Sequence, residues 1–207
     1  MKLLVSDFDG TFFDPENYDD NIKLINKFIS LGNHFVIATG RNYESLKKDL
    51  KIKCNYYICN DGAYILDNNL EIIYKENIMK EDIPIIKYFL EENKFEDIHF
   101  DFIGNKNEIN KIYARATNKN ITIETNSIWS YYSKNYLNIN SIKAKKEFAT
   151  KYLIELTNYS EVIVIGDSIN DIGMIEKFGG YLISKNEIKN MKTVKDFKEL
   201  CNILDLS

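Results

Sequence analysis

The chain has 207 residues with 27 basic and 31 acidic side chains, which gives a formal net charge of -4. This charge argues against a protein that binds nucleic acid through a basic surface, and no apolar run approaches the roughly 20 residues of a membrane span. Its three cysteines lack metal-ligand spacing, and its two histidines provide little for a zinc site or a catalytic triad. We expect a cytoplasmic globular protein without a signal peptide or membrane partner, either a monomer or a small homo-oligomer.

The first third of the chain predicts strands and helices in alternation. Short apolar runs at residues 3–6, 35–38 and 56–59 indicate strands buried on both faces, which are typical of a parallel sheet. Between them, apolar residues at helical spacing predict a helix over 22–31, with Asp19 or Asp20 as its cap and Gly32 at its end. A second helix is predicted over 43–50.

The middle of the chain has a different pattern. Two apolar runs on either side of Asp67-Asn68-Asn69 predict a β-hairpin. Beyond it, polar and apolar residues alternate, which indicates antiparallel strands with one solvated face. The further predicted elements are a helix over 83–90, a strand over 98–103, a helix over 109–116 and strands over 121–125 and 136–139. These elements predict an α+β domain over 63–137, inserted into an α/β core of residues 1–62 and 138–207.

The last third returns to the first pattern. A helical stripe over 148–156 precedes an all-apolar strand over 162–165. A helix over 172–178, a strand over 181–183 and a helix over 194–204 follow. The predicted core sheet therefore takes strands from both ends of the chain.

Three of the predicted parallel strands end in polar motifs: Asp7-Phe8-Asp9-Gly10-Thr11, Ala38-Thr39-Gly40-Arg41 and Gly166-Asp167-Ser168-Ile169-Asn170-Asp171. Because ligands of open parallel sheets bind at the carboxyl ends of the strands, we expect these motifs to meet. Carboxylates as close as Asp7 and Asp9 would repel each other by roughly 4 kcal/mol at an effective dielectric of about 20. Mg2+ prefers oxygen ligands and would offset that repulsion. Its candidate ligands are Asp7, Asp9, Asp167 and Asp171.

Together, the three motifs resemble the signature of the haloacid dehalogenase (HAD) superfamily, and the whole chain is most similar to its Cof-type phosphatases. The hairpin-led insert after Asn60-Asp61-Gly62-Ala63 resembles the type IIB cap of that family. The resemblance implies a Rossmann-like parallel-sheet core with an inserted α+β cap domain. It also implies a Mg2+-dependent phosphatase whose substrate is a small phosphorylated metabolite, such as a sugar phosphate.

The resemblance assigns catalytic roles to the two acids of the first motif. Asp7 would be the nucleophile that forms an aspartyl-phosphate, and Asp9 would protonate the leaving oxygen and later deprotonate the attacking water. These roles suit carboxyl chemistry, because an ionised carboxylate can form a covalent intermediate and a second carboxyl can alternate as acid and base. The metal would be held by Asp7, by the backbone carbonyl of Asp9 and by Asp167, with Asp171 in or just behind that shell.

The phosphoryl group has its own predicted ligands. Thr39 would hydrogen-bond the transferring phosphoryl group, and the backbone amides of Gly10 and Thr11 would approach its oxygens. Gly40, Arg41 and Asn170 are further candidates for substrate contact, although Arg41 could equally pair with a nearby acid.

The resemblance also requires a lysine ahead of the last catalytic strand, which neutralises the phosphate and the nucleophile. Lys143, Lys145 and Lys146 are the candidates, and none is followed by glycine. We favour Lys146, because Ala149 lies three residues after it and Leu153 seven residues after it, as in the family pattern.

Several interpretations stay open at this stage. The motifs also suit a phosphomutase of the same superfamily, or a receiver-like module that accepts a phosphoryl group for signalling. Asp61 stands where Asn is commoner and could either disfavour very anionic substrates or stabilise its turn. The aromatic residues of the insert could form a stacking surface for the substrate or could belong to its core: Phe100, Phe102, Trp129, Tyr131 and Tyr132.

Overall fold

The computed structural model describes residues 1–104, 107–116 and 121–205. Twelve strands and six α-helices follow one another in these residues. In chain order they are β1 (Lys2–Ser6), α1 (Tyr18–Ser30), β2 (His34–Ala38), α2 (Tyr43–Leu46), β3 (Tyr56–Cys59), β4 (Tyr64–Asp67), β5 (Ile72–Lys75), α3 (Asp82–Glu92), β6 (Glu96–Phe102), β7 (Ile109–Arg115), β8 (Ile128–Ser133), β9 (Tyr136–Ser141), α4 (Lys146–Leu156), β10 (Glu161–Gly166), α5 (Ile172–Phe178), β11 (Tyr181–Ile183), β12 (Lys192–Val194) and α6 (Phe197–Ile203).

The larger sheet has eight strands in the order β12-β11-β10-β1-β2-β3-β4-β5. Its first six strands are parallel, and the β4–β5 hairpin continues the sheet in antiparallel pairing from β3. The central strands carry apolar side chains on both faces, as the short apolar runs of the sequence predict. On β1, Leu4 packs on one face while Leu3 and Val5 pack on the other.

Helices cover both faces of this sheet. One layer contains α1 and α6, whose residues Ile25, Phe28 and Phe197 pack against the Leu4 face. The other layer contains α4 and α5, which contribute Ala149, Leu153, Met174 and Ile175 to the opposite face. The predicted α/β core is therefore a three-layer structure, and the three polar motifs lie where the central strands end.

The smaller sheet is antiparallel, with the order β6-β7-β9-β8. One face packs against α3 through residues such as Ile86, Leu90, Ile112 and Ile139. The other face carries polar residues, among them Lys111 and its paired neighbour Asn140. This α+β unit is called the cap below, and its polar face lies toward the carboxyl ends of β1 and β2.

The domain boundaries stay a prediction, but strand pairing bears on both of them. The hairpin β4–β5 was assigned to the insert and instead extends the larger sheet, because β4 pairs with β3. At the other border, β9 pairs within the cap up to Ser141, beyond the predicted boundary at residue 137.

The helix predicted over 109–116 is wrong. Residues Ile109–Arg115 form strand β7, with Ile112 and Ala114 packed toward α3 and Lys111 and Tyr113 on the opposite face. The spacing of Ile109 and Ile112 imitates one helical turn, whereas β-branched and aromatic residues favour a pleated strand.

Other differences concern the ends of elements. The helix predicted over 43–50 ends at Leu46. Residues 121–125 form no strand, while the neighbouring strand β8 was not predicted. The last helix begins at Phe197 rather than at residue 194, because Asp196 caps it by accepting a hydrogen bond from the Glu199 amide. Within the described residues, no helix has the length and the hydropathy required to cross a bilayer.

Candidate active site

The three sequence motifs meet at one edge of the larger sheet. Asp7 follows β1, Thr39 follows β2 and Asp167 follows β10, and these three strands are neighbours in the sheet. The backbone amide of Asp7 donates to the carbonyl of Ile165 at 2.9 Å, which extends the β1–β10 pairing to the start of the motif. The parallel topology therefore gathers residues that lie up to 160 positions apart.

Asp7, Asp167 and Asp171 form a compact group of carboxylates. Each offers one oxygen, and these oxygens all lie within 4.8 Å of one another. Opposite ligands of octahedral Mg2+ lie about 4 Å apart, and Mg2+ prefers oxygen donors. The chemistry and the spacing of this donor set therefore fit a Mg2+ ion.

Lys146 provides the positive charge within this cluster of three carboxylates. Its Nζ donates to Asp7 Oδ1 and to Asp171 Oδ1, both at 2.6 Å, and its side chain is fully buried. It is the first residue of α4, and the start of this helix therefore lies beside the carboxylates. By contrast, Lys143 is exposed, and Lys145 lies over the ring of Trp129. Of the three candidate lysines, the structure brings Lys146 to Asp7.

Asp171 is held by the loop that carries Asp167. Its Oδ2 accepts hydrogen bonds from the backbone amides of Asp167 at 3.2 Å and Ser168 at 3.0 Å, and from Ser168 Oγ at 3.0 Å. Since Oδ1 accepts from Lys146, both oxygens of Asp171 have protein partners. Asp171 thus fixes the loop and the lysine, and Asp7 and Asp167 are the carboxylates with more freedom to bind a metal.

Asp9 lies outside this group of carboxylates. Its side chain is about half exposed and forms a two-point ion pair with Arg41, whose Nε donates to Asp9 Oδ2 at 2.7 Å and whose Nη2 donates to Oδ1. Nη1 of Arg41 bonds Asp49 at 2.6 Å, and its guanidinium lies over the ring of Phe8. Arg41 was expected either to contact substrate or to pair with a nearby acid, and in the structure it pairs with Asp9 and Asp49.

The remaining candidate residues line the same edge. Thr11 Oγ1 donates to Asp167 Oδ1 at 3.1 Å, and Thr39 Oγ1 accepts from the Arg41 amide at 3.1 Å. Gly10 has a φ of +82°, and a Cβ there would lie 2.6 Å from Asp167 Oδ2. Only glycine therefore fits at this position, between β1 and the loop that carries Asp167.

Burial sets the protonation of the central groups. It raises the pKa of Asp7 well above its usual value against the opposing effect of Lys146, and the Asp171 and Asp167 carboxylates add to the rise. Burial and Asp171 likewise raise the pKa of Asp167. Burial alone would lower the pKa of Lys146, but Asp171 and Asp7 reverse this effect and raise it. The site thus holds more negative charge than its lysine can stabilise.

A cavity opens between this sheet edge and the cap. Its volume is about 320 Å³, and Asp7, Asp9 and Asp167 lie on its core side while Lys134 and Asn138 line it from the cap. A neighbouring cavity of similar volume adds polar groups from both parts of the chain, including Asn42, Ser45 and Tyr113. The space beside Asp7 therefore suits a small polar molecule.

The aromatic residues of the insert do not form one stacking surface. Phe100 and Tyr132 pack on the α3 side of the cap sheet. Trp129 and Tyr131 stack on each other on the opposite face, where Trp129 Nε1 donates to the carbonyl of Ala144. Phe102 is exposed.

Sequence reasoning missed two residues of the site region, Lys111 and Asp49, and the contacts of a third, Asp61. Asp61, noted as a departure from the common Asn, is completely buried and bonds Lys111 and Tyr131 of the cap. Asp49 holds the far side of Arg41. Lys111 could not be found because its strand was predicted as a helix, and no motif marks Asp49.

The chain is similar to known proteins of the family whose signature its motifs resemble. A model of the haloacid dehalogenase-like hydrolases matches residues 4–108 and 97–198. The chain is 25% identical over 233 residues to the 5-amino-6-(5-phospho-D-ribitylamino)uracil phosphatase of Bacillus subtilis, covering 99% of this chain and 92% of that protein. It is 27% identical over 218 residues to a phosphoglycolate phosphatase of Sulfolobus acidocaldarius, with coverage of 95% and 89%.

Solved structures share the fold at low sequence identity. A haloacid dehalogenase-like hydrolase from B. subtilis superposes with a TM-score of 0.78 at 18% identity and covers 99% of both chains. A phosphatase of this superfamily from Bacteroides thetaiotaomicron has a TM-score of 0.80 at 16% identity, covering 99% of this chain and 94% of its own. The predicted α/β fold with its cap is confirmed. The chain therefore belongs to the haloacid dehalogenase-like hydrolases, of Cof type, and its predicted class of phosphoric monoester hydrolase is confirmed as well.

Proposed function

We propose that the protein is a Mg2+-dependent phosphatase that hydrolyses a small phosphorylated metabolite through an aspartyl-phosphate on Asp7. The observation that carries the proposal is the buried Lys146, which bonds Asp7 and Asp171 at 2.6 Å each beside the carboxylate of Asp167. A lysine in this position compensates a nucleophilic carboxylate without occupying the open side of the cavity.

The first half-reaction forms a bond between an Asp7 carboxylate oxygen and phosphorus and breaks the bond from phosphorus to the leaving oxygen. Asp9 gives its proton to that oxygen. Because Arg41 donates to both oxygens of the Asp9 carboxylate, Asp9 must loosen this contact before it can pass a proton to the leaving oxygen. The Thr39 hydroxyl orients the phosphoryl oxygens. The amides of Gly10 and Thr11 can join it only by giving up their bonds to the carbonyls of Phe13 and Phe8.

The second half-reaction returns the enzyme to its starting state. Asp9 removes a proton from water, the water oxygen bonds phosphorus, and the phosphorus–Asp7 bond breaks to release inorganic phosphate. Asp7, Asp167 and the carbonyl of Asp9 would hold Mg2+, with Asp171 behind them. When bound, Mg2+ supplies a Lewis acid that offsets the charge of the phosphoryl oxygens.

The substrate should have a polar leaving group. The cavity lining offers hydroxyl, amide and charged groups, such as Asn42, Ser45, Tyr113 and Asn138, rather than an apolar slot. The curated relatives include phosphatases of phosphoglycolate and of a ribityl phosphate, both small and polar. Arg41 and Asn170 are proposed to contact such a substrate. A cytoplasmic location and a monomer or small homo-oligomer stay predictions.

The test is a phosphatase screen with an aryl phosphate and a panel of small phosphomonoesters, with Mg2+ or with EDTA. We expect turnover that EDTA abolishes. In Asp9→Asn, loss of the acid–base group should slow hydrolysis of the intermediate, so intact-protein mass spectrometry should detect one added phosphoryl group, which Asp7→Asn prevents. Asp19→Asn, which changes an exposed carboxylate paired with Lys51, is the matched control.

Other outcomes would contradict the proposal. Undiminished turnover in Asp7→Asn would rule out the covalent route. A persistent acyl-phosphate without turnover would indicate a receiver-like module. Transfer of the phosphoryl group to a sugar hydroxyl, in the presence of a sugar bisphosphate, would indicate a phosphomutase.

A further inference from the structure

A tight turn after β3 carries the buried Asp61. Asn60, Asp61 and Gly62 all have positive φ values, at +48°, +61° and +103°. Asn and Asp tolerate the left-handed region better than other residues with side chains. A Cβ at Gly62 would lie 2.5 Å from the carbonyl oxygen of Lys145, so the turn packs directly against the start of α4, where Lys146 is anchored. The turn thus lies against the lysine-bearing helix.

The Asp61 carboxylate accepts hydrogen bonds from both parts of the protein. Lys111 Nζ of the cap donates to Oδ2 at 2.7 Å, and Tyr131 Oη of the cap donates to Oδ1 at 2.7 Å. From the core, Asn170 Nδ2 donates to Oδ1 at 2.8 Å. Asn140 of the cap adds a longer contact of 3.4 Å. We call Asp61, Lys111, Tyr131 and Asn170 the Asp61 junction.

Lys111 extends the Asp61 junction to the loop after β2, which carries Thr39 and Gly40 and is called the phosphoryl-binding loop below. Its Nζ also donates to the carbonyl oxygen of Gly40 at 2.7 Å, next to Thr39. The turn supports the same loop through two backbone bonds, from the Asp61 amide to the Thr39 carbonyl and from the Asn60 amide to the Arg41 carbonyl. The loop is therefore held from the core by the turn and from the cap by Lys111.

The charges of the junction make its assembly selective. The Asp61 and Lys111 side chains are only 0% and 4% exposed, and each comes from a different part of the chain. A buried charge that loses its partner is strongly unfavourable, whereas a paired and fully hydrogen-bonded one is tolerated. Lys111 and Lys146 lower the pKa of Asp61 despite its burial, which favours the ionised carboxylate in this ion pair. Moving the cap away would separate this ion pair and break its hydrogen bonds.

We propose that Asp61 and Lys111 are a positioning pair that docks the cap on the core and orders the two loops around the nucleophile. Through Gly40 the pair acts on the phosphoryl-binding loop, and through Asn170 it acts on the loop of Asp167. Its kinetic consequence rests on the proposed function, but its structural consequence does not. An amide at position 61 could not form this ion pair, which gives the departure from the common Asn a physical role.

The test combines three variants: Asp61→Asn, Lys111→Met and the double variant. Each single change leaves the opposite charge buried and alone, so we expect amide hydrogen exchange to accelerate at least 10-fold at Asn60, Asp61 and along β7 to β9. Exchange in β1 and β10 should stay within 2-fold of the native chain. The double variant should be closer to the native chain than either single variant, because neither charge then remains unpaired.

Activity and phosphate binding provide the functional arm. We expect each single variant to lower kcat for an aryl phosphate at least 10-fold and to weaken inhibition by inorganic phosphate, at temperatures far below unfolding. Lys2→Met, which removes an ion pair with Glu161 within the core sheet, is the control and should change neither measurement.

Three results would overturn the proposal. They are a uniform rise in exchange over the whole molecule, native kcat and phosphate binding in both single variants, or additive effects in the double variant. If the native chain does not hydrolyse any phosphomonoester, the proposed function fails, while the exchange measurements still decide the structural role of the pair.

Discussion

A completely buried lysine such as Lys146 is rare in proteins, because an ammonium loses its hydration inside. Here, two carboxylates at 2.6 Å compensate it, and the same contact compensates the carboxylates. The arrangement is asymmetric, since three acids face one lysine. At the scale of single residues, the site is therefore built to gain a further cation.

Replacing Lys146 by Met should leave Asp7 and Asp171 facing each other without a cation. Removing one partner of a buried ion pair costs about 3–5 kcal/mol of unfolding free energy, and loss of the electrostatic stabilisation should lower kcat at least ~100-fold. Urea unfolding and steady-state kinetics measure both effects. Lys143→Met, at an exposed position, is the control and should stay within about 0.5 kcal/mol. The opposite ranking of the two variants would contradict the assignment of Lys146.

Asp7→Asn should abolish turnover and yet raise the Tm of the metal-free protein. The folded-state pKa of Asp7 is raised, so its ionised form destabilises the fold at neutral pH. Each kcal/mol of unfolding free energy gained by the variant corresponds to roughly 2–4 °C in a chain of this size. As the pH falls through the raised pKa toward 3.8, Asp7 gains its proton and the advantage of the variant should disappear. Calorimetry in EDTA from pH 7 to pH 4 measures this difference, and an equal or lower Tm of Asp7→Asn at pH 7 would contradict it.

At the scale of elements, the sequence predicts the core well and the cap poorly. Central parallel strands such as β1 and β10 are short apolar runs that end in motifs, so both their existence and their ends are visible. The cap strand β7 has one apolar face and one face that meets the site, so Lys111 and Tyr113 break its alternation of buried and solvated residues. The ion pair between Asp61 and Lys111 could not be predicted, because it depends on how that strand packs against a distant turn.

A mutation in the hydrophobic interior of the cap should loosen the cap without loosening the α/β core. Leu90 of α3 is completely buried against the cap sheet, and Leu→Ala at such a position costs about 2–5 kcal/mol. We expect Leu90→Ala to accelerate amide exchange in β6 to β9 while β1 to β3 keep their native rates. Tyr88→Ala, where the side chain is 66% exposed, is the matched control on the same helix. Equal acceleration in both sheets would show that cap and core unfold together.

At the scale of the whole molecule, the candidate active site is built from segments that are far apart in the sequence. The first motif, the Thr39 loop and the loop after β10 all reach the same cavity, while the cap supplies the opposite wall. A ligand that binds in this cavity therefore contacts both the α/β core and the cap.

Mg2+ should stabilise the folded protein as a whole. A ligand that binds only the native state at 100 times its dissociation constant adds about 2.7 kcal/mol, and the carboxylates of Asp7 and Asp167 provide the sites. We expect the Tm to rise with Mg2+ in a thermal shift measurement, but not with KCl at the same ionic strength. Asp167→Asn should lose most of this response, whereas the surface variant Asp20→Asn should retain it. An unchanged response in Asp167→Asn would place the ion elsewhere.

The central position of β1 also has a consequence for biosynthesis. This strand is translated well before β10, one of its two neighbours, because Lys2 pairs with Glu161, which leaves the ribosome about 160 residues later. Until then one edge of β1 has no partner, and open strand edges invite association with other chains. Pairing over such long sequence distances also slows folding. We therefore expect the nascent chain to depend on chaperones that protect this edge until β10 has been translated.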